Sequence, residues 1–130
     1  MVGFATLIIM RAVILFAHGS RDPLWAQSIE AVALKLRQQY PDAICHCAYL
    51  ELTAPDLPTV TAQLVHAGCT HLTVLPMFIG TGRHARVDLP VMVEQLRQHY
   101  PDVYFSIATA VGEDARVIQL LADIAQDYLA

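Results

Sequence analysis

Residues 12–50 read AVILFAHGSRDPLWAQSIEAVALKLRQQYPDAICHCAYL and contain a strand, a helix and a second strand. The apolar run Ala12–Ala17 is typical of a strand buried on both faces. Asp22 as N-cap and Pro23 at N1 predict the start of the helix, and Ala43–Leu50 is the second strand. Four apolar residues recur at helical spacing within this helix: Trp25, Ile29, Val32 and Leu36.

The same alternation continues to the end of the chain. We predict a helix at Pro55–Ala67, a strand at His71–Phe78, a loop at Ile79–Arg86, a helix at Val87–Tyr100, a strand at Val103–Ala108 and a helix at Asp114–Leu129. The last helix has Val117, Leu121, Ile124 and Tyr128 in one apolar line. This pattern predicts an α/β fold: a four-stranded parallel sheet with right-handed crossovers and helices on both faces.

The length and composition narrow the class of protein. A chain of 130 residues fits one domain, predicted at residues 12–130, after an apolar extension at residues 1–11 to which we assign no role. Arg11 interrupts that apolar run, which argues against both a signal peptide and a membrane span. A net charge of −4 without a basic run argues against nucleic-acid binding. Three cysteines without a framework spacing predict a cytoplasmic protein.

Two histidines and one glutamate follow the predicted strands. His18 ends the first strand, Glu51 ends the second and His84 follows the third. Ligands of parallel sheets bind at the carboxyl ends of the strands, where two imidazoles and a carboxylate could hold a divalent metal and accept protons. The alternative is an exposed or helix-capping glutamate beside two loop histidines. For the remaining histidines we predict structural or solvated roles: His46, His66, His71 and His99.

Three arginines are predicted near the same edge. Arg21, Arg83 and Arg86 indicate an anionic ligand, although three loop arginines can equally be ordinary surface. The glycine-bearing segment 80–84 has neither of the usual nucleotide-binding spacings. In Cys45-His46-Cys47, strand alternation turns the histidine away from the thiols, which favours buried cysteines over a metal site.

A heptapeptide occurs twice in nearly the same form. Residues 36–42 read LRQQYPD and residues 96–102 read LRQHYPD, in each case between a predicted helix and a predicted strand. The repeat indicates either a recurrent way of ending a helix or an old duplication of a βαβ unit.

The motifs resemble those of a known family. Leu15–Arg21, Tyr49–Glu51 followed by Pro55, Pro76–Phe78, Gly82–His84 and Asp88–Pro90 are similar to segments of the short sirohydrochlorin chelatases of the CbiX family. Members are class II chelatases, lyases that insert a divalent metal into a tetrapyrrole for cobalamin or sirohaem synthesis. The resemblance implies that His18 and His84 bind the metal and accept pyrrole protons. It places a third ligand at Glu51.

The resemblance also implies the partners. The substrates would be sirohydrochlorin and a divalent metal, Co²⁺ first, with Fe²⁺ or Ni²⁺ as alternatives, and no organic cofactor is expected. Ser20, Arg21, Arg83 and Arg86 would bind the tetrapyrrole, and two copies of a short chain would pair as a homodimer. One alternative is a metal or tetrapyrrole carrier without catalysis. Another is phosphoryl transfer by His18, although the histidine phosphatases have Arg where this chain has Ala17.

Overall fold

The computed structural model describes residues 8–80 and 82–129, and of His84 only the backbone. Along the chain lie β1 (Arg11–Ala17), α1 (Gln27–Gln39), β2 (Ile44–Tyr49), α2 (Leu57–His66), β3 (His71–Pro76), α3 (Arg83–His99), β4 (Tyr104–Ile107), a 3-10 turn (Val111–Glu113) and α4 (Ala115–Gln126). Within the described residues, no helix is both long and apolar enough to span a membrane.

The four strands form one parallel sheet in the order β2-β1-β3-β4. Ala17 at the end of β1 lies opposite Tyr49 of β2, and Phe16 lies opposite Pro76 of β3. The carboxyl ends of β2, β1 and β3 are therefore neighbours at one edge of the sheet. The predicted α/β class is confirmed.

Helices cover both faces of the sheet, as predicted. On the first face, α2 and α3 pack over a core that includes Ile14, Phe16 and Val74. On the second face, α1 packs through Ala33 on Leu15 and its neighbours in β2. The strands alternate between the two cores because successive side chains point to opposite faces.

Two helices begin four residues away from their predicted starts. Helix α1 begins at Gln27, because the Asp22 carboxylate accepts the Leu24 N–H and closes a local turn. Helix α3 begins earlier than predicted, at Arg83 after the N-cap Gly82. The predicted loop 79–86 is therefore wrong in its second half, and its last four residues belong to α3.

Helix α4 forms where predicted but is not packed as a core helix. Asp114 caps it by accepting the Arg116 N–H at 2.8 Å. None of its residues is buried, and Leu121 and Ile124 of the predicted apolar line are exposed. The element beside it is the 3-10 turn rather than the sheet.

The start of the chain shows where the predicted extension meets the domain. Residues 1–7 lie outside the described residues. Met10 packs against the first core, and its N–H donates to the Thr70 hydroxyl at 3.0 Å. Met10 and Arg11 therefore belong to the folded domain.

The repeated heptapeptide builds the same junction twice. Arg37 donates to the Cys45 carbonyl at 2.9 Å, and Arg97 donates to the Phe105 carbonyl at 3.0 Å, eight residues ahead in both cases. Tyr40 and Tyr100 end the two helices with similar backbone angles. The arginine ties each helix to the strand that follows it.

Candidate metal site

The loops after β1 and β2 are joined by backbone hydrogen bonds. The Leu50 N–H donates to the Ala17 carbonyl at 2.9 Å, and the Glu51 N–H donates to the His18 carbonyl at 3.0 Å. These bonds continue the pairing of β1 and β2 beyond the strand ends. His18 and Glu51 are therefore held side by side by the backbone.

Gly19 allows the two loops to approach this closely. Its φ is +103°, a conformation that side-chain-bearing residues rarely adopt. A Cβ at this position would overlap the Glu51 carbonyl oxygen and lie 2.9 Å from the Glu51 carbonyl carbon. A glycine is therefore needed between His18 and Ser20.

Thr53 fastens the two loops a second time, a role that the sequence did not reveal. Its hydroxyl accepts the Ser20 N–H at 2.9 Å and donates to the Ser20 carbonyl at 2.9 Å. The Ser20 hydroxyl in turn accepts the Asp22 N–H at 3.1 Å. No spacing rule marks this threonine, because its partner lies 33 residues away.

The side chains of His18 and Glu51 face one another in solvent. His18 Nε2 lies 3.7 Å from Glu51 Oε1, and the two side chains are 46% and 48% exposed. Two donors that each lie about 2 Å from a common first-row ion are at most about 4 Å apart. The pair is thus spaced to share a metal ion without moving the backbone.

His84 is the second residue of α3, which follows β3 at the same edge of the sheet. Its side chain lies outside the described part, so the meeting of all three predicted ligands stays a prediction. Among the described side chains, no group of three or more His, Cys, Asp or Glu residues could hold a metal ion.

A family model, CbiX, matches residues 12–128. The chain belongs to the CbiX family. The family predicted from the motifs is confirmed.

Several CbiX relatives carry chelatase names. The sirohydrochlorin ferrochelatase of Bacillus subtilis (strain 168) is 28% identical over 84% of this chain and 42% of its own length. That of Priestia megaterium is 25% identical over 88% of this chain, which matches 43% of it. The sirohydrochlorin cobaltochelatase of Sulfolobus acidocaldarius is 25% identical over 93% of this chain and 94% of its own. The chain thus spans about two fifths of the ferrochelatases and nearly all of that cobaltochelatase.

Solved CbiX-type structures share the fold. A CbiX protein from Marinobacter aquaeolei VT8 is 32% identical, with a TM-score of 0.80 over 92% of this chain and 98% of its own. The sirohydrochlorin chelatase SirB from Bacillus subtilis subspecies spizizenii, solved with cobalt, is 25% identical with a TM-score of 0.78. The match covers 92% of this chain and 51% of that one. The CbiX fold is therefore present in a chain that corresponds to about half of SirB.

An apolar cleft of about 260 Å³ lies at the same edge of the sheet of this CbiX chain. It is formed by the ends of β3 and β4 and the first turns of α3, with Phe78 and Leu89 in its wall. Arg86 and Glu113 are the charged residues that line it. Arg83 is exposed in the first turn of α3, and Arg21 is exposed after β1.

The other predicted histidines lie away from this edge. His71 opens β3 and stacks on Tyr104 with ring centroids 4.6 Å apart. The remaining three are exposed, at mid-β2, the end of α2 and the end of α3: His46, His66 and His99. These positions agree with structural or solvated roles.

The cysteines of β2 are buried thiols. Cys45 and Cys47 point into the second core, whereas His46 between them is exposed on the other side. Burial raises the pKa of both thiols, that of Cys47 to about 12. The expectation of buried cysteines instead of a metal tract agrees with this arrangement.

Proposed function

We propose that this chain is a sirohydrochlorin chelatase that inserts a divalent metal ion into the macrocycle. The observation that carries the proposal is the 3.7 Å distance between His18 and Glu51, which lie on two loops joined by hydrogen bonds. The strand next to β1 is β3, and α3, which contains His84, follows it. The family and the names of the relatives support the same activity.

Each residue type suits a step of this chemistry. Insertion of a divalent ion into a free-base macrocycle releases two pyrrole protons, and each neutral imidazole can accept one. His18, Glu51 and His84 would hold the incoming ion with open coordination positions, so that the four pyrrole nitrogens can replace them. Because His18 and Glu51 are half-exposed, a bulky planar substrate can reach an ion between them.

The macrocycle has carboxylates around its rim, and these would bind to positively charged side chains at this edge of the sheet. We assign Arg21, Arg83 and Arg86 to its carboxylates, with Ser20 beside His18. The N-cap of α3 is Gly82, which has no side chain to cap the N–H groups of the first turn, and a helix N-terminus of this kind favours an anionic group. Arginine forms bidentate pairs with carboxylates, and an apolar cleft lies beside Arg86 for the ring.

The cleft favours a site shared by two copies. At about 260 Å³ it is smaller than the 300–1,000 Å³ typical of pockets that enclose a drug-sized ligand. We therefore propose a homodimer in which a second subunit covers the other side of the macrocycle. The free thiols of the chain suit the reducing cytoplasm, where we place its activity.

The test is insertion of Co²⁺, Fe²⁺ or Ni²⁺ into sirohydrochlorin, followed by the change in the visible spectrum. We expect the protein to accelerate insertion over the metal alone. His18→Ala and His84→Ala should each lower kcat by about 100-fold, the usual contribution of a positioned acid or base. His66→Ala, at the exposed end of α2, is the matched control and should leave the rate unchanged.

The outcomes separate the alternatives. Full activity in His84→Ala would exclude the histidine assignment. Tight stoichiometric binding of metal or sirohydrochlorin without turnover would identify a carrier instead of an enzyme. Comparison of the three metals under steady-state conditions decides which ion is the better substrate, since ligand type alone does not select among them.

A further inference from the structure

Leu52, the residue that follows Glu51, has an unusual backbone conformation. Its φ is +64°, and among the described residues it is the one non-glycine residue with a positive φ. The Thr53 N–H donates to the Glu51 carbonyl at 2.7 Å, so Leu52 is the central residue of a γ-turn. The positive-φ form of this turn is rare and strained. A glycine would adopt the same conformation at a lower cost than leucine.

Hydrogen bonds on both sides hold the turn in this conformation. The Tyr49 N–H donates to the Pro55 carbonyl at 3.0 Å and closes the base of the loop. The Thr53 hydroxyl binds the backbone N–H and carbonyl of Ser20, both at 2.9 Å, in the loop after β1. A strained residue persists only where the surrounding structure holds it in this way. The loop therefore keeps Leu52 in its strained conformation.

The Leu52 side chain does not offset the strain by burial in a core. It is 56% exposed, whereas Leu50, two residues earlier, packs against the first core. A single exposed leucine is common on protein surfaces and by itself indicates nothing. An exposed leucine at a strained position is different, because the fold would be more stable with a glycine there. Strain of this kind is concentrated at sites that bind ligands or catalyse reactions.

Leu52 lies next to the proposed metal ligands. Consecutive Cα atoms are about 3.8 Å apart, and the carboxylate of the preceding residue, Glu51, lies 3.7 Å from His18. The other two loops at this edge also carry an exposed apolar side chain, Leu24 after β1 and Ile79 after β3. Because β2, β1 and β3 are neighbours in the sheet, the three loops together add apolar surface at the edge where the proposed metal ligands lie.

Apolar side chains suit the part of the substrate that the charged residues do not bind. The proposed arginines would bind the carboxylates at the rim of the macrocycle, and the metal ligands would face its four nitrogens. Between the rim and the nitrogens, the conjugated ring has a flat apolar surface. Burial of this surface against an apolar side chain favours binding, because it removes apolar area from water.

We infer that Leu52 is a substrate-binding residue whose side chain contacts the flat face of the macrocycle. The inference rests on the proposed function, because it takes sirohydrochlorin as the ligand. A leucine held by a hydrogen-bonded turn makes this contact without the entropy loss of ordering a flexible loop. Leu52 takes no part in proton transfer, since its side chain has no titratable group. The strain in the turn is then a cost to stability that serves substrate binding.

Three variants of Leu52 separate the strain from the contact. Leu52→Gly removes both, Leu52→Ala keeps the strain but loses most of the side chain, and Leu52→Met keeps the strain and a long apolar side chain. Leu52→Gly should raise the Tm by about 3 °C, because it relieves the strained turn. Leu52→Ala and Leu52→Met should keep the Tm of the wild type.

The second readout is the binding of sirohydrochlorin in the absence of metal. Trp25, the single tryptophan of the chain, lies in the loop after β1, and quenching of its fluorescence measures the Kd. Leu52→Gly and Leu52→Ala should each raise the Kd about tenfold, equivalent to about 1.4 kcal/mol of lost apolar contact, and Leu52→Met should restore it. Leu34→Ala is the matched control, since Leu34 is 52% exposed within α1, and it should leave the Kd unchanged. The affinity for Co²⁺ alone should stay the same in Leu52→Ala.

Several results would overturn the inference. One is wild-type affinity for sirohydrochlorin in Leu52→Ala, and another is an equal loss of Co²⁺ affinity, because the leucine would then act through the loop. A lower Tm in Leu52→Gly would show that the side chain supports the fold instead. A change of oligomeric state in Leu52→Ala would assign the leucine to an interface between copies. A wild-type protein that binds no sirohydrochlorin would refute the proposed function itself, and the inference with it.

Discussion

Gly19 and Gly68 have the same backbone angle in different surroundings, which makes them a matched pair for testing the paired loops. Their φ values are +103° and +102°. A Cβ at Gly68 would meet only the end of the flexible Met10 side chain, at 3.3 Å. A Cβ at Gly19 would meet the rigid Glu51 peptide. The difference between the two alanine variants therefore measures the closeness of the two loops.

The expected magnitudes follow from these contacts. Gly68→Ala should lower the free energy of unfolding by about 1–2 kcal/mol, the cost of a left-handed conformation for a residue with a Cβ. Gly19→Ala has the same cost, and the two loops must also separate by about 1.7 Å before the new Cβ reaches ordinary van der Waals distance from the Glu51 carbonyl oxygen. The bond from Glu51 to His18 and the two bonds between Thr53 and Ser20 then weaken. Each contributes about 1 kcal/mol, so the total loss in the free energy of unfolding should be about 3–5 kcal/mol.

The assay combines stability and rate. Urea unfolding at one fixed protein concentration gives the free energies, and metal insertion into sirohydrochlorin gives the rates. A displacement of about 1 Å at Glu51, the proposed third ligand, should lower the rate of Gly19→Ala by about 100-fold. Gly68→Ala, at the far end of the sheet, should keep the normal rate. Equal stability and activity in the two variants would refute the reasoning.

Three further predictions concern the fold. Asp56→Ala removes the N-cap of α2 and should lower the free energy of unfolding by about 1 kcal/mol at pH 7. Hydrogen bonds from Thr59 lower the pKa of the Asp56 carboxyl, so its stabilising contribution is present above about pH 3.8 and is lost as the pH falls. The Tm values of the two proteins should therefore converge in acid. Tyr49→Phe removes a 2.7 Å bond to Glu30 and should cost about 1–2 kcal/mol in urea unfolding, and an unchanged midpoint would contradict that role. A thiol reagent should label none of the cysteines in the native protein and all of them in denaturant: Cys45, Cys47 and Cys69.

The sequence was sufficient to predict the parallel sheet, and to predict the ends of its strands to within two residues. Buried strands are continuous apolar runs, and Ala12–Ala17 shows this pattern without interruption. Helix starts were less predictable, because a side chain that could cap a helix can instead accept a hydrogen bond from a backbone N–H in a separate turn. Asp22 has the features of an N-cap, yet its carboxylate closes a turn five residues before α1.

Two features of the site and its surroundings could not be read from the sequence. The role of Thr53 comes from its hydrogen bonds to a residue in the other loop, and sequence spacing does not encode a contact between residues so far apart. The apolar line of α4 correctly predicted a helix, but it did not predict that this line is exposed beside the 3-10 turn instead of packed on the sheet. An apolar stripe indicates that a helix is amphipathic, and it does not encode which element the helix packs against.

The exposure of His18 and Glu51 is consistent with the stability of the fold. Their positions depend on backbone hydrogen bonds and on Gly19, in loops that follow strands buried in the two cores. The side chains themselves contribute little to folding, because half-exposed ion pairs are worth about 0–1 kcal/mol. The proposed metal insertion needs such a pair, because its donors must be held firmly enough by the backbone to meet a metal ion and be open enough to release it to four pyrrole nitrogens. Substituting either donor should therefore remove activity while leaving the unfolding midpoint nearly unchanged, in contrast to Gly19→Ala, which should affect both.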